Sequence, residues 1–355
     1  MSRIITLGEV MGRLATPGYK RFAQAMPGTL EVTFAGAEVN VAACLAMLGG
    51  DASFVTALPD HAVADAVVAN LRGLGIDTGN ILRAPNGRLG LFFHEAGINQ
   101  RPGNVIYDRA GSSFAITPPE AYDWDTIFRE AAWFHISGIT PAISANAAAV
   151  ALRAVQEASS RGVPVSCDMN YRSKLWQWEP QFPPRELAAR TMREFLPLVT
   201  VFMGGPEDAE MLLGIRAASG PDDPLLHVAR QITARFPRLT HVAMTLRDVK
   251  PTHQTWGGMV YDAALNRCFY APWKEERFEP YIIDHIVDRL GAGDAFSAGL
   301  IFSLTQPEIR ESRDAVAFAA AVSCLAHSNE GDFNFVTRAE VEALLRGAPG
   351  GGVNR

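Results

Sequence analysis

The residues with the clearest chemical potential lie in one segment, DRLGAGDAFSAGL, at 288–300. Gly291, Ala292 and Gly293 allow the backbone to approach a ligand closely, and helix-forming residues follow them. A glycine-rich turn that leads into a helix offers free N–H groups and a positive dipole end, which suits a phosphate. Asp294 would lie in the first turn, where a carboxylate accepts a proton from a hydroxyl aimed at a transferring phosphoryl group. The structural alternative is a tight turn in which Asp294 only caps the helix.

The elements that have to position this segment alternate along the chain. Short strand-type runs are followed by longer helix-type runs, which is typical of an α/β domain with a mainly parallel sheet and helices on its faces. The clearest runs are strands at 4–7, 53–57, 133–136, 163–168, 199–203 and 241–246, and helices at 37–48, 63–74, 145–160, 225–235, 292–304 and 313–326. The pattern predicts one domain over 1–347, and the glycine-rich end at 348–355 predicts a flexible tail.

Two stretches, at about 10–34 and 87–113, interrupt this alternation because they have no helical period. The second stretch contains the extended runs LGLFFHEAG and NVIYDRAGS. Two strand-rich insertions in an α/β domain predict a small sheet that covers one end of the larger one. Such a lid would exclude water from a reaction that water could intercept. The alternative is ordinary surface decoration.

Composition narrows the classes of function. The formal charge is −6, from 32 basic and 38 acidic residues without a basic patch, so we expect no nucleic-acid partner. The four cysteines are far apart and form no zinc-type spacing, which fits thiols in a reducing compartment. The first residues do not form a signal-peptide apolar region, and the apolar run at 315–326 is too short to cross a bilayer. We therefore expect a cytoplasmic enzyme with no membrane partner.

Two common nucleotide-binding motifs are missing from the sequence. A Walker-type GxxxxGK[ST] does not occur, which excludes the P-loop fold. The GxGxxG fingerprint of NAD-dependent dehydrogenases should open the first βα unit, and Gly8-Glu9 offers nothing of that kind. The sequence therefore belongs neither to the P-loop proteins nor to the NAD-dependent dehydrogenases.

Two motifs in the chain occur in the order expected of a known family. Residues 288–296 match the signature DTxGAGDxF at Asp288, at the GAGD run and at Phe296, and AGAEVNVA at 35–42 is similar to GGAxxNVA. Through these motifs the chain resembles the carbohydrate kinases of the ribokinase family, often called the PfkB family. The resemblance implies a ribokinase-like three-layer α/β/α domain with a small β-sheet lid. It also implies ATP and Mg²⁺ as cofactors, and Asp294 as the catalytic base.

The same resemblance gives roles to the residues around the turn. The N–H groups of Gly291, Ala292 and Gly293 would stabilise charge on the transferring phosphoryl group, with Gly291 and Gly293 also close to the nucleotide. Thr245 would end a strand beside the nucleotide. Most family members then have a glycine where this chain has Arg247, which either contacts phosphate or lies at the surface. Because the lids of relatives often pair between subunits, we expect a homo-oligomer, a dimer through the lid.

The metal ligands depart from the family pattern. An Asn-x-x-Glu element of the family helps to organise Mg²⁺ and phosphates. In this chain Gly205 stands in the place of the Asn, and Asp208 stands in the place of the Glu. Glu207 and Asp208 are therefore the candidates for orienting metal-bound water, and the sequence does not decide between them.

Within the family, several segments resemble 2-keto-3-deoxygluconate kinases, at 6–22, 34–42, 100–115, 134–144, 168–176 and 331–337. The resemblance implies phosphorylation of 2-keto-3-deoxy-D-gluconate to its 6-phosphate. That substrate carries a carboxylate, which arginine binds with two parallel charge-assisted hydrogen bonds. In these kinases the acid is met by arginines in the segments matching YDR and NYR, which are Arg109 and Arg172 here.

The remaining sugar contacts come from the first motif and from the second lid segment. Gly36 would permit close approach of the sugar, and Asn40 would hold it. Tyr107 lies two residues before Arg109, so on a strand both face the same side. Phe92 stands where related kinases often carry Tyr, which would remove one hydrogen bond to the substrate.

Two alternatives remain open. The first is a kinase for another sugar, such as fructose, ribose or 2-keto-3-deoxygalactonate, and removal of Arg172 would separate a neutral sugar from a keto-acid. The second is a non-catalytic sugar-binding homologue, which would bind sugar tightly without binding nucleotide.

Overall fold

The computed structural model describes residues 2–217, 223–249 and 253–347, and the predicted tail at 348–355 lies outside them. The strands are β1 (Arg3–Leu7), β2 (Met11–Ala15), β3 (Glu31–Ala35), β4 (Asp51–Pro59), β5 (Ile81–Ala84), β6 (Gly90–Glu95), β7 (Asn104–Asp108), β8 (Ala131–Ser137), β9 (Val165–Asp168), β10 (Val201–Met203), β11 (His241–Val249), β12 (Gln254–Asp262), β13 (Arg267–Ala271), β14 (Trp273–Lys274), β15 (Arg277–Phe278) and β16 (Tyr281–Ile283). The helices are α1 (Phe22–Ala25), α2 (Ala37–Met47), α3 (Ala62–Gly73), α4 (Ser113–Ile116), α5 (Trp124–Phe128), α6 (Ala145–Ser160), α7 (Pro184–Phe195), α8 (Pro206–Asp208), α9 (Pro224–Arg235), α10 (Ala292–Thr305), α11 (Ser312–Ala326) and α12 (Arg338–Leu345).

The main sheet is parallel through most of its width. Its strand order is β13-β12-β11-β10-β9-β8-β1-β4-β5, and neighbours from β11 to β5 pair in parallel. β12 is antiparallel to β11, and both β13 and β16 pair with β12. Strand β4 is buried on both faces along almost its whole length, as expected in a parallel sheet covered on both sides. The carboxyl ends of the parallel strands share one edge, where open α/β sheets bind their ligands.

Helices cover both faces of this sheet. α6, α7 and α9 pack in one core cluster, and α2, α3, α10 and α11 pack in the other. Gly299 of α10 faces α11 so closely that an added Cβ would lie 2.9 Å from the Cα of Ala319, so only glycine fits there. These layers confirm the predicted α/β/α architecture. No helix in the described ranges is long and apolar enough to cross a bilayer.

A second, four-stranded sheet has the order β3-β2-β6-β7. The chain enters it directly after β1 and leaves it directly into α2, so this sheet lies at the carboxyl edge of the main one. Its strands occupy the two stretches without helical period, with β3 ending one residue beyond the first. One face carries Arg13, Phe92 and Tyr107, and the opposite face carries Leu14 and Phe93. The small β-sheet lid is thereby confirmed.

Candidate active site

A cavity of about 770 Å³ lies between the lid and the carboxyl edge of the main sheet. The residues that the sequence singled out all line it, namely Gly36, Asn40, Phe92, Tyr107, Arg109, Arg172, Glu207, Asp208, Thr245, Arg247, Gly291, Ala292, Gly293 and Asp294. They come from the lid, from α2, from the loops after β9 and β10, from β11 and from the start of α10. The fold therefore brings together residues that are far apart in the sequence, such as Asn40 and Asp294, which are 254 positions apart.

The turn before α10 has the geometry of an anion site. Gly291 precedes the helix with a φ of 79°, in the left-handed region, and a Cβ there would lie 2.3 Å from the backbone oxygen of Asp332. At Gly293, by contrast, an added Cβ would meet no heavy atom within 4 Å, so this side of the turn opens on the cavity. The free N–H groups of the first helical turn thus border space that a ligand can fill.

Asp294 is held by one hydrogen bond from another part of the chain. Asn40 Nδ2 donates to Asp294 Oδ2 at 2.7 Å, and Asn40 Oδ1 in turn accepts from the N–H of Gly36 at 3.2 Å. Burial raises the pKa of Asp294 to about 8, the hydrogen bond from Asn40 opposes the rise, and the charge of Asp168 adds to it. The bond described for this side chain goes to Asn40 and not to a helix N–H, which does not support a capping role.

Gly36 is needed for packing at the start of α2. A Cβ at this position would lie 2.1 Å from the backbone oxygen of Glu9, two residues after β1. The close approach that the sequence predicted at Gly36 is therefore, in this structure, an approach of the chain to itself. Its consequence for the site is that the N–H of Gly36 can orient Asn40 towards Asp294.

The two predicted acid-binding arginines have different surroundings. Arg109 is 7% exposed and forms an ion pair with Glu9, with Arg109 Nε donating to Glu9 Oε2 at 2.7 Å. Arg172 is exposed at the cavity, and no carboxylate lies within ion-pair distance of it among the described residues. Arg109 is thus already neutralised, whereas Arg172 is free to meet an anion. Sequence reasoning missed Glu9, which carried no signal beyond its place after a strand.

Several carboxylates line the part of the cavity next to the carboxyl ends of β9 and β10. The pKa of Asp168 is raised to about 7, chiefly by burial and also by the charge of Asp208, while the charge of Arg172 opposes the rise. Burial also raises the pKa of Asp208, whose Oδ2 accepts from the N–H of Gly205 at 2.9 Å. Among the described residues no group of three or more His, Cys, Asp or Glu is arranged to hold a metal ion. Asp168 was not singled out by the sequence, although it ends a predicted strand.

Arg13 ties the lid to the main domain. Its side chain is 5% exposed, with Nη2 at 2.6 Å from Asp288 Oδ2 and Nη1 at 2.6 Å from Asp332 Oδ1. His94, on the neighbouring lid strand, lies 3.0 Å from Nη2, and burial together with the charge of Arg13 lowers its pKa. Asp288 begins the segment of the glycine turn, and its Oδ1 accepts from the N–H groups of the next two residues. We call Arg13, Asp288 and Asp332 the lid clasp.

A glycine turn with free N–H groups beside a carboxylate with a raised pKa, in a cavity bordered by the lid, is the arrangement expected of a phosphoryl-transfer site. A family model described as pfkB family carbohydrate kinase matches residues 1–246. The chain therefore belongs to the PfkB family of carbohydrate kinases. It is a phosphotransferase whose acceptor is an alcohol group, which confirms the class of enzyme predicted from the two motifs.

Individual relatives extend over almost the whole chain. It is 32% identical to a 2-dehydro-3-deoxygalactonokinase of Haloferax volcanii over 350 residues, 99% of this chain and 98% of that protein. It is 23% identical to a 2-dehydro-3-deoxygluconokinase of Bacillus subtilis over 342 residues, 96% of this chain and 94% of that protein. The crystal structure of a 2-dehydro-3-deoxygluconokinase from Thermotoga maritima superposes with a TM-score of 0.87 at 37% identity, covering 98% of this chain and 100% of that one.

Proposed function

We propose that this chain phosphorylates 2-keto-3-deoxy-D-gluconate at its terminal hydroxyl, forming the 6-phosphate with ATP as donor. The observation that carries the choice of a sugar acid is Arg172, a cation that faces the cavity without a carboxylate partner among the described residues. The names of the relatives support a keto-acid, since 2-dehydro-3-deoxygluconate is another name for the same compound. The galactonate epimer is the second candidate, because the Haloferax volcanii relative is named for it.

In the proposed reaction Asp294 is the general base. It takes the proton of the C6 hydroxyl while the hydroxyl oxygen forms a bond to the γ-phosphorus and the bond from that phosphorus to ADP breaks. The N–H groups of Ala292 and Gly293 stabilise the charge that develops on the phosphoryl oxygens. Asn40 fixes the carboxylate through its 2.7 Å hydrogen bond. The lid keeps water away from the phosphoryl group.

The acidic side of the cavity fits Mg²⁺ bound together with ATP. Mg²⁺ keeps several waters and is usually held by one or two carboxylates plus phosphate oxygens, without a cage made of protein alone. Asp168, Glu207 and Asp208 offer such carboxylates, and Glu207 and Asp208 remain the candidates for orienting metal-bound water. The ion would neutralise part of the phosphate charge.

At the other end of the sugar, we place the acid group on Arg172. Arg109 has Glu9 as its partner, so it contributes to the wall of the sugar pocket together with Tyr107 and Phe92, whose ring centroids are 6.4 Å apart. Phe92 is buried in this wall and lacks the hydroxyl that a Tyr would place there. Gly36 and Asn40 lie on the opposite side of the sugar in this arrangement.

Replacement of Arg172 by Gln is expected to raise the KM for the keto-acid about 10- to 100-fold, as loss of a charged hydrogen bond does, with a smaller change in kcat. The measurement is initial-rate kinetics with 2-keto-3-deoxygluconate at saturating MgATP. Lys174→Gln, which removes a positive charge from the same loop but outside the cavity, is the matched control and should keep the wild-type KM. Equal KM values for both variants would contradict the proposed acid site.

We further propose that a second copy of the chain covers the outer face of the lid. Cross-strand pairing aligns Val32, Leu14, Phe93 and Ile106 in one apolar row across all four strands, and Val32 and Ile106 are 64% and 49% exposed. A self-complementary apolar row suits a two-fold dimer. Sedimentation velocity should give a dimer for the wild type and a monomer for Val32→Lys. Leu265→Lys, at an exposed site away from the lid, should stay dimeric, and a monomeric wild type would contradict the proposal.

A further inference from the structure

Two further arginines, Arg247 and Arg289, line the same cavity. Arg247 lies on β11 in the same alternating row as Thr245, and Arg289 lies in the loop that leads to the glycine turn. Neither has a carboxylate within ion-pair distance among the described residues. Both are departures from the family pattern, since Arg289 stands where the signature DTxGAGDxF has Thr and Arg247 stands where most members have Gly. The fold therefore brings two added cations to one place.

Arg289 is held in position by a chain of buried hydrogen bonds. Its Nη1 donates to Gln254 Oε1, and Gln254 Nε2 bonds to His327 Nε2. His327 Nδ1 lies 2.9 Å from the backbone oxygen of Ser323, a contact in which the ring has to donate. Ser323 Oγ then donates to the backbone oxygen of Ala292, at the first residue of α10. This series of hydrogen bonds connects Arg289 to α10, the helix that begins at the glycine turn.

The donor and acceptor roles in this series of hydrogen bonds are consistent with one another only if His327 is neutral. With a proton on Nδ1, the other ring nitrogen accepts from the Gln254 amide, which leaves the amide oxygen to receive Arg289. Burial lowers the pKa of His327, and the charges of Arg289 and Arg247 lower it further, although its hydrogen bonds to backbone oxygens oppose this. The neutral form therefore fits the position. One edge of the Arg289 guanidinium donates to Gln254, and the other edge is available to a ligand.

The proposed acid site leaves this pair for another anion. The acid group is placed on Arg172, which follows β9. In the sheet, β11 is two strands away from β9, which at the usual spacing is about 10 Å. Burial lowers the pKa of Arg289, and repulsion by the charge of Arg247 lowers it further. A place that holds two unneutralised cations beside the glycine turn fits a ligand with at least two negative charges.

We propose that Arg247 and Arg289 form an arginine pair that binds the polyphosphate chain of the phosphoryl donor, an inference that rests on the proposed kinase function. Guanidinium groups donate two parallel hydrogen bonds to phosphate oxygens. In this chain the pair takes over charge neutralisation at a site where Gly205 replaces the Asn of the Asn-x-x-Glu element. The pair acts together with the N–H groups of the glycine turn. Nucleotide binding therefore depends less on the metal ion than it would without the two arginines.

The test is calorimetric titration of ADP, without metal and with Mg²⁺, into the wild type, Arg289→Gln, Arg247→Gln and the double variant. Each single substitution should weaken ADP binding about 10- to 100-fold without metal, as loss of a charged hydrogen bond does. Adenosine and 2-keto-3-deoxygluconate should bind as they do to the wild type. Arg289→Lys should recover part of the loss, and Arg310→Gln, which removes an exposed charge outside the cavity, should cause none.

ADP affinity that is unchanged in the double variant would overturn the inference, and so would a loss of keto-acid affinity in place of ADP affinity. Failure of the proposed function would give a different result. The wild type would then bind ADP through the two arginines but would phosphorylate no sugar acid.

Discussion

Asp294→Asn is expected to lower kcat by about 10²- to 10⁴-fold, the range that a positioned general base contributes. The substitution keeps the size of the side chain and its place beside Asn40 but removes the ability to accept a proton. Sugar and nucleotide should still bind. Because burial raises the pKa of Asp294, its ionised form is costly in the folded state, so the Asn variant should unfold at a temperature no lower than the wild type.

The matched control is Asp314→Asn. Asp314 is an exposed residue at the third position of α11, the position that Asp294 occupies in α10. If Asp294 only stabilised the start of its helix, both variants would show similar small losses of stability and normal turnover. Full activity of Asp294→Asn in a folded enzyme would contradict its role as the base.

The same residue sets the expected pH dependence. A general base has to be ionised before the reaction, and the pKa of Asp294 is raised to about 8, so kcat/KM should rise with pH through about 8 and level off above it. Stopped-time assays from pH 6 to pH 9.5 would measure this limb. The limb should be missing from the residual activity of Asp294→Asn.

Arg13→Met is expected to reduce the free energy of unfolding by about 3–5 kcal/mol, as removal of one partner from a buried ion pair does. The reason is that the substitution would leave the nearly buried carboxylates of Asp288 and Asp332 without the cation that they share. Chemical denaturation of the purified protein measures the change. Since the clasp joins the lid to the loop of the glycine turn, the sugar KM should also rise.

Arg88→Met provides the comparison for this prediction. Arg88 is another lid arginine with an acidic partner, Asp108, but both side chains are exposed. Exposed ion pairs contribute about 0–1 kcal/mol, so this variant should be close to the wild type. Equal destabilisation by the two substitutions would mean that the clasp is not a special contact between lid and domain.

Local pattern was sufficient to predict the layers of the fold, and two sequence motifs marked residues that the fold brings together at the cavity. The alternation of strands and helices predicted the α/β architecture, and the predicted helix at 145–160 coincides with α6. The motif at 35–42 and the motif at 288–296 each contain one member of the Asn40–Asp294 hydrogen bond. These features depend on residues close in sequence, or on two motifs that a known family places together.

Contacts that arise only from tertiary packing were not visible in the sequence. Glu9 and Arg109 are 100 residues apart, and Arg13 and Asp332 are 319 residues apart. No periodicity marks a charge that will be buried, because its partner is fixed only when the lid folds onto the domain. The helix α7 was also missed, although the sequence carries its signal, because its apolar residues face one side as in an amphipathic surface helix.

The proposed substrate is tested most directly by measuring ADP release by the wild type with MgATP and each of four acceptors: 2-keto-3-deoxygluconate, 2-keto-3-deoxygalactonate, fructose and ribose. We expect turnover of the keto-acids, with gluconate preferred, and no turnover of the neutral sugars. Turnover confined to fructose or ribose would contradict the role of Arg172. Absence of turnover with all four, in a folded protein that binds ATP, would contradict the proposed substrate class.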